Sequence, residues 1–139
     1  MFQKVLVASD GSGPSIKAAE VAARMAGAFG SSVTVATVAY MPRAYAGDVG
    51  TEMQEAYLAE WRRVLEDTVQ VVKTGGVDAQ AKLLRAGEPA GALLDEIRTS
   101  SYDLVIVGRT GAGSSGSDIM GGVSRKIAEA APCSVLIVK

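Results

Sequence analysis

Histidine is missing from the 139-residue chain, and cysteine occurs once, at Cys133. The first absence removes the usual near-neutral general base, the usual partner of a catalytic serine and the commonest transition-metal ligand. The second excludes an internal disulfide and a zinc site built from cysteines. No stretch approaches the roughly 18 consecutive apolar residues that a membrane-spanning helix needs. No basic block is present either. Fourteen Lys and Arg face fifteen Asp and Glu, a formal net charge of -1, so bulk electrostatics gives no reason to expect nucleic-acid binding. Chemistry is left to carboxylates, hydroxyls, Lys, Arg and backbone, and any bound anion must be held by local geometry.

What is present is a globular composition. At 48% hydrophobic and 21% charged, the chain can bury a core and still dissolve. At roughly 150 residues per domain, residues 1–139 are expected to form a single domain. The opening residues are too short an apolar run for a signal peptide and lead straight into Asp10-Gly11. A cytoplasmic location without membrane attachment is therefore expected.

Short apolar blocks at 4–9, 32–40, about 78–85, 104–107 and 135–138 alternate with helical patterns, as parallel strands with crossover helices do. The last two blocks are almost entirely aliphatic, which suits strands buried on both faces. Pro14 suits the first turn of a helix that ends near Gly30, with an alanine-rich face. Thr51 and Gln54 have the spacing of a capping box for the longest helix, about 51–74, in which Tyr57, Trp61, Val64, Leu65, Thr68 and Val72 recur at helical spacing. Glu88-Pro89 opens a third helix with Leu93, Leu94 and Ile97 inward. Val123, Ile127 and Ala130 define a fourth, which halts at Pro132.

In order this reads βαβαβαβαβ: an α/β fold with an open, doubly wound, parallel five-stranded sheet and helices on both faces, of Rossmann-like type. Ligands of such sheets bind beyond the carboxyl ends of the strands, near the switch in strand order. The segment after the fourth strand, Gly108-Arg109-Thr110-Gly111-Ala112-Gly113-Ser114-Ser115-Gly116-Ser117-Asp118-Ile119-Met120-Gly121-Gly122, is the compositional outlier. Its glycines allow successive N–H groups to converge on a phosphate, and the following helix adds its N-terminal dipole. Thr110, Ser114, Ser115 and Ser124 carry hydroxyls that can add bonds. A surface loop without a ligand has the same composition. The segment is not a P-loop, because Ser117-Asp118 stands where Lys-Ser/Thr is required, and its G-x-G-x-x-G match lies after the wrong strand for a dinucleotide fingerprint.

Gly108, Gly111 and Gly121 at this spacing, followed by Val123-Ser124-Arg125-Lys126-Ile127 and closing with Ala131-Pro132-Cys133, resemble the ATP-binding segment of the universal stress protein family. The resemblance runs end to end, through Val5-Leu6-Val7-Ala8-Ser9-Asp10-Gly11-Ser12 and Gly87-Glu88-Pro89-Ala90. It implies a domain that binds ATP, with magnesium, across the strand ends. Ala8 and Val38 would flank the adenine, with Val107 beside the site. Asp10 would lie near the ribose or a phosphate-bound magnesium. Gly108, Thr110, Gly111 and Gly121 would wrap ribose and phosphates, and Val123 and Ser124 would offer amides and a hydroxyl to the phosphate tail. Gly122 departs from the family pattern, which has Ser or Thr directly after the last glycine; one phosphate bond is lost there unless Ser124 compensates. The resemblance also implies a homodimer formed by pairing the last strand, Val135, Leu136, Ile137 and Val138, across a two-fold axis, besides protein partners that the sequence does not identify.

Other residues keep two readings. Asp10 before Gly-Ser is a ligand contact or a turn former. Arg109 and Arg125 are phosphate partners or solvated surface cations. Cys133 reads as a packed small side chain, and Trp61 as a core or interface anchor. The stretch around Tyr40-Met41-Pro42 is a flap over the site or a plain long connection. The function expected is nucleotide-dependent regulation in a stress response, with hydrolysis at most slow for want of a Walker lysine and a histidine. The rival is a nucleotide-free dimerisation or adaptor module of the same fold.

Overall fold

The computed structural model describes residues 1–40, 50–110 and 120–139. In chain order the elements are β1 (Lys4–Ala8), α1 (Gly13–Phe29), β2 (Ser32–Tyr40), α2 (Thr51–Thr74), β3 (Ala79–Ala86), α3 (Pro89–Ser100), β4 (Leu104–Gly108), α4 (Gly122–Ala130) and β5 (Ser134–Val138). The five strands form one sheet in the order β3-β2-β1-β4-β5, with every neighbouring pair parallel. Val5 stands opposite both Val33 of β2 and Leu104 of β4. The α/β architecture is the one the alternating blocks predict, and β2 spans the residues expected of it.

Strand side chains alternate between the two faces of a sheet, and here both faces are covered. Val5, Val7, Val33, Val35, Leu104 and Ile106 pack under α1 and α2, against Ala18, Ala19, Ala22, Ala23, Leu65, Val69 and Val72. Leu6, Ala36, Val38, Val105 and Val107 pack on the other face, against Leu93 and Ile97 of α3 and Ile127 of α4. The alanine face of α1 lets its backbone lie close to the sheet. Ser12 caps this helix by accepting from the Ser15 N–H at 3.4 Å, and Gly30, at φ 70°, ends it. That left-handed turn favours glycine.

One local expectation is corrected. The N-cap of α2 is Gly50, not Thr51: the Gly50 carbonyl accepts from the Met53 and Gln54 N–H groups at 3.1 and 3.3 Å. The helical ladder starts one residue early, so Thr51 and Gln54 are out of register for a capping box. In α4 the inward residues are Ser124 and Ile127, while Val123 and Ala130 are exposed. A nine-residue helix fits two apolar stripes almost equally well, and the sheet selects the one that buries a serine.

Candidate functional site

Strand order reverses between β1 and β4, since β1 continues through α1 to β2 on one side and β4 continues through α4 to β5 on the other. The carboxyl ends of these strands splay apart there. A cavity of about 440 Å³ opens at this point, lined by residues from β1, β2 and β4 and from all four helices or the turns that lead into them.

The turn after β1 supplies its most ordered polar wall. Ser9 donates its N–H to the Ala36 carbonyl at 2.9 Å, extending the β1–β2 ladder. Asp10 accepts from the Ser12 N–H at 3.0 Å, as a turn former does, and it also lines the cavity. Ser9, Ser15 and Thr68 are buried and joined through their hydroxyls, Ser9 to Thr68 at 2.8 Å and Ser9 to Ser15 at 3.2 Å. Thr68 donates to the Val64 carbonyl at 2.8 Å. Its only hydrogen is thereby engaged, so Ser9 is the donor to Thr68. The chain of hydroxyls ties the tip of β1 to α1 and α2.

The opposite wall is built from the end of β4 and the start of α4. The Arg109 N–H donates to the Val138 carbonyl at 2.8 Å, and the Arg109 carbonyl accepts from Gly121 N–H and Ser124 Oγ, each at 2.8 Å. The Ser124 hydroxyl, 4% exposed, is thus spent on holding the two ends of the loop together. What Ser124 has left for a ligand is its amide. The first rung of α4 runs from Arg125 N–H to the Gly121 carbonyl at 3.0 Å, so the amides of Gly122, Val123 and Ser124 precede the helical ladder and carry the positive end of its dipole. Gly122 has open space where a side chain would stand. The exposed Val123 side chain lies on the cavity wall. Cys133 packs beneath this region against the α3–α4 core; burial pushes its thiol up from the usual value and the Asp103 charge adds to this, which suits a packed side chain.

Pro89 and Leu93 of α3 complete the rim. Glu88 caps α3, accepting from Ala90 N–H at 3.1 Å and Gly91 N–H at 2.6 Å, and it meets Lys126 of α4 at 3.3 Å. The Gly91 N–H holds its carboxyl below the usual carboxylate value; partial burial opposes this, and Lys126 and Ala90 reinforce it. A depressed folded pKa stabilises the fold above the unfolded value, and that stabilisation is lost as pH falls through the folded one. Glu88→Ala is therefore expected to cost about 1 kcal/mol at pH 7 through loss of the cap. In paired urea melts the gap between wild type and variant should close once the pH drops below the ordinary Glu value of 4.5 and through the lowered folded one. A gap that persists at pH 2 contradicts the assignment.

Of the expected site residues, Ala8, Asp10, Val38, Val107, Gly108, Thr110, Gly121, Gly122, Val123 and Ser124 all line this one cavity. Gly111, Ser114, Ser115 and the stretch 41–47 lie outside the described residues. Tyr40, the start of the stretch read as a flap or a plain connection, lines the cavity too, whereas sequence reasoning missed Ser15, Ala36, Trp61, Pro89 and Leu93 as lining residues. Among the described residues no cluster of three or more Asp, Glu or Cys could hold a metal on its own, and no helix is long and apolar enough to cross a membrane.

The model of the Universal stress protein family matches residues 1–139. A curated relative from Thermus aquaticus, "Universal stress protein in QAH/OAS sulfhydrylase 3'region", is 35% identical over 140 residues, covering the whole of both chains. A solved universal stress protein in complex with cAMP is 24% identical, with 99% of this chain and 97% of that chain covered and a TM-score of 0.78. The universal stress protein from Archaeoglobus fulgidus in complex with dAMP is 21% identical, with 100% and 96% covered and a TM-score of 0.75. The two structures show the same fold.

Proposed function

Because this chain belongs to the universal stress protein family, we propose that its strand-end cavity binds an adenine nucleotide, ATP with magnesium, and that occupancy of the site regulates which proteins it contacts. One observation carries the reading: a single cavity joins the apolar side chains of Ala8, Val38 and Val107 to the amide-bearing start of α4. The first surface suits a purine and the second a phosphate. A volume of about 440 Å³ is within the range of small-molecule sites. The cAMP and dAMP held by the two structural relatives belong to the same ligand class.

Magnesium would arrive on the phosphates, since Asp10 is the one carboxylate among the described residues that line the cavity. Hydrolysis would be slow, as the chain has no histidine and no Walker lysine to neutralise charge in the transition state. The protein would act in the cytoplasm as one domain. It would form a homodimer through β5, an uncharged and half-buried strand at the sheet edge of the kind that normally needs covering.

Mass spectrometry of nucleotide released from freshly purified protein tests the reading. We expect an adenine nucleotide from the wild type and little or none from Asp10→Ala, with the variant melting close to the wild type. A wild-type protein that releases none, and whose melting is unmoved by millimolar ATP-magnesium, identifies the adaptor module instead. Sedimentation at twice the chain mass is the expected result for the dimer, and a monomer at high concentration rejects it.

A further inference from the structure

Helix α2 is long, and only part of it lies on the sheet. Its Leu65, Val69 and Val72 are buried in the core on this face, where α2 packs on β2 and β3, whereas Trp61, one turn nearer the N-terminus, lines the cavity. Three contacts fix that register. Thr68 is bonded to Ser9. Val64 sits over Gly11 at the tip of β1, 3.3 Å from where a side chain would begin. Tyr57 donates its hydroxyl to the Tyr40 carbonyl at the end of β2. The Tyr57 ring in turn meets Trp61 edge-on, with centroids 6.3 Å apart and planes at 72°, a favoured aromatic geometry. Trp61 is thus a half-buried indole braced from behind, with the cavity in front of it.

Leu93 and Val107 reach the same cavity from the α3–α4 side of the sheet, and Trp61 reaches it from the α1–α2 side. A flat aromatic ligand entering between them meets an aromatic face on one side and aliphatic groups on the other. Within the nucleotide-binding reading, on which this inference rests, we propose that Trp61 is a specificity-determining residue that stacks on the base. The site then selects ligands with an aromatic base over base-free polyphosphates.

Trp61 is the only tryptophan of the chain, so its emission reports on the cavity alone. Calorimetry with AMP and with tripolyphosphate, run on wild type, Trp61→Ala and Trp61→Phe, tests the assignment alongside the emission of the wild type. Loss of base–aromatic stacking should weaken AMP about tenfold in Trp61→Ala, with tripolyphosphate unchanged and Trp61→Phe recovering most of the loss. Saturating AMP should quench the wild-type emission. If Trp61→Ala does not fold, the emission and Trp61→Phe decide. AMP that binds wild type and Trp61→Ala equally, or that binds the wild type without changing its emission, overturns the stacking role and leaves the site intact. Absence of heat from the wild type with both AMP and ATP overturns the site as well.

Discussion

Gly108→Val is expected to destabilise the protein by about 3 kcal/mol, enough to lower its melting temperature by about 10 °C. A Cβ at this position would stand 2.7 Å from the Pro14 carbonyl carbon and 2.8 Å from the Ser15 N. Both are backbone atoms in the first turn of α1, which cannot swing aside as the end of a flexible side chain can. The helix starts there because Pro14 and the Ser12 cap fix it, and β4 ends there because Arg109 is held by Val138. Any side chain must push the two elements apart at the point where the cavity opens. Gly108→Ala should move melting in the same direction by less. Gly122→Ala is the control, since nothing among the described residues lies within 4 Å of its would-be Cβ and alanine is the better helix former. Thermal melts that superimpose for wild type and Gly108→Ala would show that α1 and β4 separate freely, contrary to this account.

Gly122→Ser is expected to tighten ATP binding roughly tenfold to a hundredfold, the range for one added hydrogen bond to a charged group. Space for the side chain exists, and the residue lies on the cavity wall at the first position of α4. The hydroxyl of Ser124 does not already supply this bond, being engaged by the Arg109 carbonyl. Adenosine, which has no phosphate, should bind both proteins alike. An ATP affinity unchanged by the substitution, measured calorimetrically, would mean that the phosphates do not approach the start of α4.

The fold was legible because its signals are local and repeated. Aliphatic blocks such as Leu104 to Val107, the Ser12-Gly13-Pro14 start and the Gly30 stop each specify an element without help from distant parts of the chain. Most of the candidate site followed from the rule for strand ends together with the family resemblance. What escaped depends on how elements are set against each other. Trp61 was read as a packing residue because its helical spacing continues that of Leu65 and Thr68. Yet α2 has 24 residues, about 36 Å of helix, while β2 and β3, the strands it packs on, have nine and eight, about 26 to 30 Å of strand. A helix longer than the strands beneath it must overhang one end.

The hydroxyls at the tip of β1 also give the cavity a polarity. With the Thr68 hydrogen fixed on a carbonyl and that of Ser9 on Thr68, the Ser15 hydrogen goes to the Ser12 carbonyl at 2.9 Å or to Ser9. Either way the Ser15 hydroxyl has only lone pairs left for a guest, and like the Asp10 carboxylate, which also lines the cavity, it receives hydrogen bonds rather than giving them. The α4 end, with its amides, does the reverse. A guest bearing hydroxyls at one extremity and an anion at the other is therefore favoured in one direction over the reverse.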